Sequence, residues 1–176
     1  MSTTNTTIDD QLVQIRRRID RLSSHAQADA PRVWRHLEPL RRAEDAVLAA
    51  LRQGPVDEVE ENLAQLKTRL DIAEHSLDAD AAEDWASFAT AVEAELRSWE
   101  LYLERLQTTA VARAWKTREQ TEAAISDLRS RRIAAGERLA QVCRTSGDVS
   151  PAARRHITAA RNQLDKRAAE LSANFN

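Results

Sequence analysis

Apolar residues recur along this chain at helical spacing, regularly enough to be followed turn by turn. Ile8, Leu12, Ile15, Ile19, Leu22 and Ala26 are separated by alternating steps of four and three. That spacing places every member on one stripe of an α-helix. It predicts a first helix over about 8–28, with Thr7 as its N-cap and Asp10 three residues on in a capping-box-like start. A second helix is expected over about 31–53. Pro31 suits a first turn, Leu40, Val47, Leu48 and Leu51 carry the stripe, and Gly54-Pro55 end it. Pro39 lacks an N–H and crowds the preceding turn, which predicts a kink or break near 36–39. A third helix over about 55–78 has the seam Val56, Val59, Leu63, Leu66, Leu70, Ala73 and Leu77. Asp80-Ala-Ala-Glu83 then reads as the next N-cap and capping box.

The eighty residues 56–135 contain neither glycine nor proline. Trp85, Phe88, Val92, Leu96, Trp99, Leu103 and Leu106 open a fourth helix near Ala81, and no stop signal follows before Ser146-Gly147-Asp148. Unbroken, it would run for about 65 residues, or roughly 95 Å at 1.5 Å per residue. Its seam lapses across the polar septet from Lys116 to Glu122 and resumes at Ile125, Leu128, Ala135, Leu139 and Val142. A fifth helix over about 151–173, with Ser150 as N-cap, has a thinner, alanine-rich seam: Ala153, Ile157, Ala160, Leu164, Ala168 and Leu171.

The pattern predicts an all-α, antiparallel, coiled-coil-like helical bundle of about five helices, with a long fourth helix and a C-terminal helical hairpin. The corresponding division is a disordered tail at 1–7, a bundle at 8–107 and a basic hairpin at 108–176, the last two separate or continuous as one domain. A turn near Gln107-Thr108-Thr109 would instead give two three-helix units. The uninterrupted helix favours the first arrangement. The shared pattern Leu66…Leu70-Asp71 and Ala160…Leu164-Asp165 favours the second. The stretch Val92-Glu-Ala-Glu-Leu-Arg-Ser-Trp-Glu-Leu-Tyr-Leu103 resembles the Trp-bearing first helix of a spectrin repeat, and residues 82–176 have about that module's length. The module's third-helix Trp has no counterpart, and no function is carried over from the likeness.

Composition narrows the functional classes. Hydrophobic residues make up 42% and charged residues 31% of 176, a globular rather than a disordered balance. No apolar run approaches the ~18–20 residues of a membrane span. Residues 1–7 carry neither a basic segment nor an apolar core, so no secretory signal is read there and a cytoplasmic location is expected. Cys143 is the one cysteine, which leaves no intrachain disulfide. Its neighbours Leu139, Ala140 and Val142 predict a buried or half-buried structural thiol.

Charge is segregated along the chain. Residues 1–54 carry +2, residues 55–107 carry −10 and residues 108–176 carry +6. Complementary packing of helices, within one molecule or between the acidic and basic segments of an antiparallel homodimer, would use this asymmetry.

Catalytic and metal chemistry find little support. None of His25, His36, His75 and His156 has the Glu three residues earlier that a di-metal bundle needs, and no His-Glu-x-x-His occurs. Asp71, His75 and Asp78 share a face away from the third seam and read as solvated. Three glycines leave no phosphate-cradling loop. The expectation is a protein without catalytic residues, cofactor or metal, acting through a protein partner or through itself. Trp115 and Trp34, off the clear seams, are candidate partner anchors. Arg132 stands where the seam calls for an apolar residue, and with Arg129 and Arg131 it forms a basic cluster that needs a carboxylate, a path to water or an anionic partner. Arg16, Arg17, Arg18 and Arg21 read as a solvated face. Nucleic-acid binding through the arginine-rich hairpin is a second reading, opposed by a pI near 6.1. Amphipathic association with a lipid or granule surface is a third, with the last helix as the candidate.

Overall fold

In the computed structural model every described element is a helix. The structure describes the backbone of residues 2–29, 31–112, 118–145 and 151–174, and the side chains of 8–24, 35–109, 119–144 and 151–170. The elements are α1 (Ser2–Asp29), α2 (Pro31–Gln53), α3 (Val56–Ala81), α4 (Trp85–Ala112), α5 (Arg118–Thr145) and α6 (Pro151–Asn174). The chain divides into two compact units, Met1–Leu77 and Asp78–Asn176. The boundary expected at 107/108 lies inside α4.

The first unit is built on the predicted seams of α1 and α3; in α2, Leu40 and Val47 are buried as expected, Leu48 and Leu51 are only partly buried, and Leu37 and Ala50 are buried beside them. Ile8, Leu12, Ile15, Ile19 and Leu22 of α1, Leu37, Leu40, Val47 and Ala50 of α2, and Val59, Leu63, Leu66, Leu70 and Ala73 of α3 form one buried cluster. Burying a large aliphatic side chain contributes about 1.5–3 kcal/mol, so this cluster dominates the unit's stability. Val56, expected on the seam, is the first residue of α3 and is exposed. Lys67 donates to Gln11 at 2.9 Å, and Arg18 reaches Asp71 and Glu74. Both residue numbers rise together along these contacts, so α1 and α3 run the same way. α2 packs against α1 as the return helix.

Two local expectations are corrected in this unit. α1 begins at Ser2, so residues 2–7, expected as a frayed tail, are helical. α2 runs through Pro39 without a break. Position 39 offers no N–H to the preceding turn, yet the flanking Leu37 and Leu40 are both buried in the core cluster. That packing outweighs the lost donor.

The second unit corrects the helix count. α4 and α5 lie side by side, and Glu100 of α4 reaches Arg129 and Arg132 of α5. One straight helix would hold residues 100 and 132 roughly 48 Å apart at 1.5 Å per residue. The expected long fourth helix is therefore two helices, and the described elements number six rather than about five. Residues 113–117 lie outside the described residues, so the continuity of the polar septet there is not described.

The seams hold along their middles, while the expected members at their ends, Trp85, Leu106, Val142 and Ala153, are only half-buried. Phe88, Val92, Leu96, Trp99 and Leu103 of α4, Ile125, Leu128, Ala135 and Leu139 of α5, and Ile157, Ala160, Leu164 and Ala168 of α6 are buried. Thr121, inside the septet, is also buried and begins the α5 stripe one turn early. The capping expectation moves by one turn. Asp84, not Asp80, caps α4: its carboxylate accepts from the Ser87 N–H at 2.8 Å and the Ser87 hydroxyl at 2.6 Å. Asp80 still belongs to α3 and has a different partner.

Candidate functional site

The densest chemistry in the described residues lies between α4 and α6. On α6, Ile157, Leu164 and Ala168 face the core, and Arg161 sits one position from Ala160, close enough to the seam to be drawn inside. On α4, Glu95 sits beside Leu96 and one turn after the small Ala91. Both charged side chains are fully buried. Arg161 donates through Nε to Glu95 Oε2 at 2.6 Å, and its Nη2 lies 2.5 Å from the same oxygen as an ion pair. Its Nη1 reaches Asp80 Oδ1 at 3.2 Å. Asp165, one turn further along α6, is buried as well.

Arg154 extends the cluster by two turns of α6. It donates to the backbone carbonyls of Ala79 and Ala82. These are carbonyls at and just past the end of α3, the groups a helix C-terminus leaves without partners. The guanidinium lies 4.6 Å from the Phe88 ring centroid, within cation–π range, with Arg161 at 6.0 Å. Glu95 with Arg161 and Phe88 with Arg154 keep the same offset in residue number, so α4 and α6 run in parallel. The cluster cross-links the helices of its own unit: a buried charge is tolerated only when paired and hydrogen-bonded, and each of these supplies the other's partner.

The predicted basic cluster is assembled in the same way. Arg132 Nε is 2.6 Å from Glu100 Oε2, and Arg129 is 3.7 Å from Glu100. The Arg132–Glu100 contact is an ion pair by distance, but the N–H is not aimed at the oxygen and neither atom completes a hydrogen bond. Arg131 donates to Asp127 at 3.1 Å, and Arg167 of α6 reaches the same carboxylate at 2.9 Å while also holding Glu170. The Arg131 hydrogen bond holds the Asp127 carboxyl below its ordinary value, burial opposes this, and the Arg167 hydrogen bond adds to the lowering. Of the two routes open to Arg132 without an outside partner, it takes the carboxylate.

The α1 arginines divide by face. Arg18 is partly buried and donates to Glu74 and Asp71, with Nη2 at 2.6 Å from each. The Glu74 hydrogen bond raises its guanidinium above the ordinary value, burial opposes this, and Asp71 adds to it. Arg16 pairs with Glu44 of α2 at 2.5 Å. Arg17 is exposed. Asp71, expected on a solvated face, is therefore engaged with α1. Cys143, expected to be buried or half-buried, is exposed. The α5 stripe passes through Ala135 and Leu139, and position 143 falls off the end of the buried run. Trp115 and the side chain of Trp34 lie outside the described residues. Among the described residues, no group of three or more His, Cys, Asp or Glu is placed to hold a metal ion, and no helix is long and apolar enough to cross a membrane.

Glu95, Arg161, Asp80 and Arg154 were not anticipated from the sequence. A charged residue one step from a seam normally carries its head to water. The available signal was the small residue near each partner, Ala91 on α4 and Ala160 on α6, which leaves room for an inward charge. No family model matches this chain, and neither a curated protein nor a solved structure matches it.

Proposed function

We propose that the chain is a non-catalytic helical protein acting through protein–protein interaction or self-association. The observation that carries this is the pair of large apolar side chains left over once the second unit has closed its core. Leu101 of α4 is 52% exposed and Ile133 of α5 is 49% exposed. Their neighbours Tyr102, Leu103 and Ala135 are buried, so both stand outside a complete core. An apolar side chain at the surface gains about 25 cal/mol per Å² when a partner removes it from water. The arginines beside Ile133 are committed to Glu100 and Asp127, which favours apolar rather than ionic contact there. The same pairing takes charge away from the nucleic-acid reading, since each neutralised guanidinium has less to offer a phosphate.

Sedimentation velocity on the full chain from a few to about a hundred micromolar, with Leu101→Glu and Ile133→Glu beside the parent, tests self-association. Association that weakens in both variants supports it, and a monomer throughout removes it. Photo-crosslinking side chains at 101 and 133 in the cell then test a heterologous partner. A protein captured at both positions, and not from an exposed position such as 17, supports it. No capture at either position removes that half of the proposal as well.

A further inference from the structure

We draw no further inference here: the strongest candidate, the buried Glu95–Arg161 pair between α4 and α6 with the exposed Asp80 at its edge, belongs to the site already described and closes on the helices of its own unit.

Discussion

Removing one member of the Glu95–Arg161 pair should cost far more than removing both. Each partner is fully buried, and the contact distances are 2.5 and 2.6 Å. Breaking such a pair from one side leaves an uncompensated charge inside, at about 3–5 kcal/mol. Arg161→Met belongs at the upper end, because it strands the Glu95 carboxylate. Glu95→Leu belongs at the lower end, because Arg161 keeps Asp80 at 3.2 Å. Replacing both charges by apolar groups of similar volume is commonly neutral, or stabilising by about 1–4 kcal/mol. The double variant should therefore lie near or above the parent, with a coupling energy of several kcal/mol. A domain's whole stability is about 5–15 kcal/mol, so either single change removes a large share of it. Urea unfolding followed by circular dichroism and by tryptophan fluorescence measures the cycle. Trp85 and Trp99 both lie in this unit, and Trp99 is buried against Tyr102 at 5.8 Å between centroids. Two results would refute the reasoning: a single variant within about 1 kcal/mol of the parent, or a double variant whose loss equals the sum of the two single losses.

Three further outcomes follow from local geometry. Gly136 lies inside α5, and a Cβ there would meet only Leu96 Cδ1 at an ordinary 3.8 Å. Gly136→Ala should raise stability by about 0.5–1 kcal/mol in urea titrations, and a loss would mean that α4 and α5 pack more tightly than described. At Gly54 a Cβ would stand 2.9 Å from the Ala50 carbonyl oxygen, a backbone atom that cannot rotate away. Gly54→Ala should destabilise by about 1 kcal/mol or more, in the opposite direction to its counterpart at 136. The Asp84 and Asp127 carboxyls are held below their ordinary values, by the Ser87 hydroxyl and by Arg131 respectively. A carboxyl depressed in the folded state stabilises fully above its unfolded pKa near 4, and that contribution is lost as pH falls through the depressed value. Unfolding between pH 5 and pH 2 should thus lose less stability in the Asp84→Asn, Asp127→Asn double variant than in the parent. An unchanged acid limb would show that neither contact is formed in solution.

The buried stripes were legible because one physical rule governs them. A helix in water buries an apolar face, and steps of four and three trace that face, so most described members from Ile8 to Ala168 are buried and the rest, Val56 apart, are half-buried. What escaped was whatever depends on a second helix. The reversal between α4 and α5 has no glycine or proline to mark it. The drive to fold back is the burial of Leu96, Trp99 and Leu103 of α4 with Ile125, Leu128 and Ala135 of α5, which is packing between elements, and its one local sign is the lapse of the apolar seam across Lys116–Glu122. Asp80 matched a capping pattern, yet α3 runs past it to Ala81, it meets Arg161 eighty-one residues away, and Asp84 caps α4 instead. Arg132 was readable as an anomaly because it interrupts a seam. Glu95 and Arg161 interrupt nothing, and their burial follows only from the register of α4 against α6.

That register also changes the meaning of the charge pattern. Cut at 54 and 107, the chain alternates between −10 and +6, which suggests that one copy neutralises another. Cut where the structure divides it, residues 1–77 hold 11 basic and 13 acidic residues, and residues 78–176 hold 15 of each. The acidic side chains of α4 meet the basic ones of α5 and α6 inside one unit, through Glu100 with Arg132 and Glu95 with Arg161. Little net charge is left for a second copy to complement. If copies associate as proposed, apolar contact at Leu101 and Ile133 drives it, and apolar contact is not screened by salt as surface ion pairs are. Raising the salt from about 0.01 M to 1 M shortens the Debye length from about 30 Å to about 3 Å. The association constant should therefore stay within about twofold across that range, or rise. A dimer that forms in low salt and falls apart in high salt, indifferent to Leu101→Glu, would show that pairing between chains competes with the pairing within them and would overturn this account.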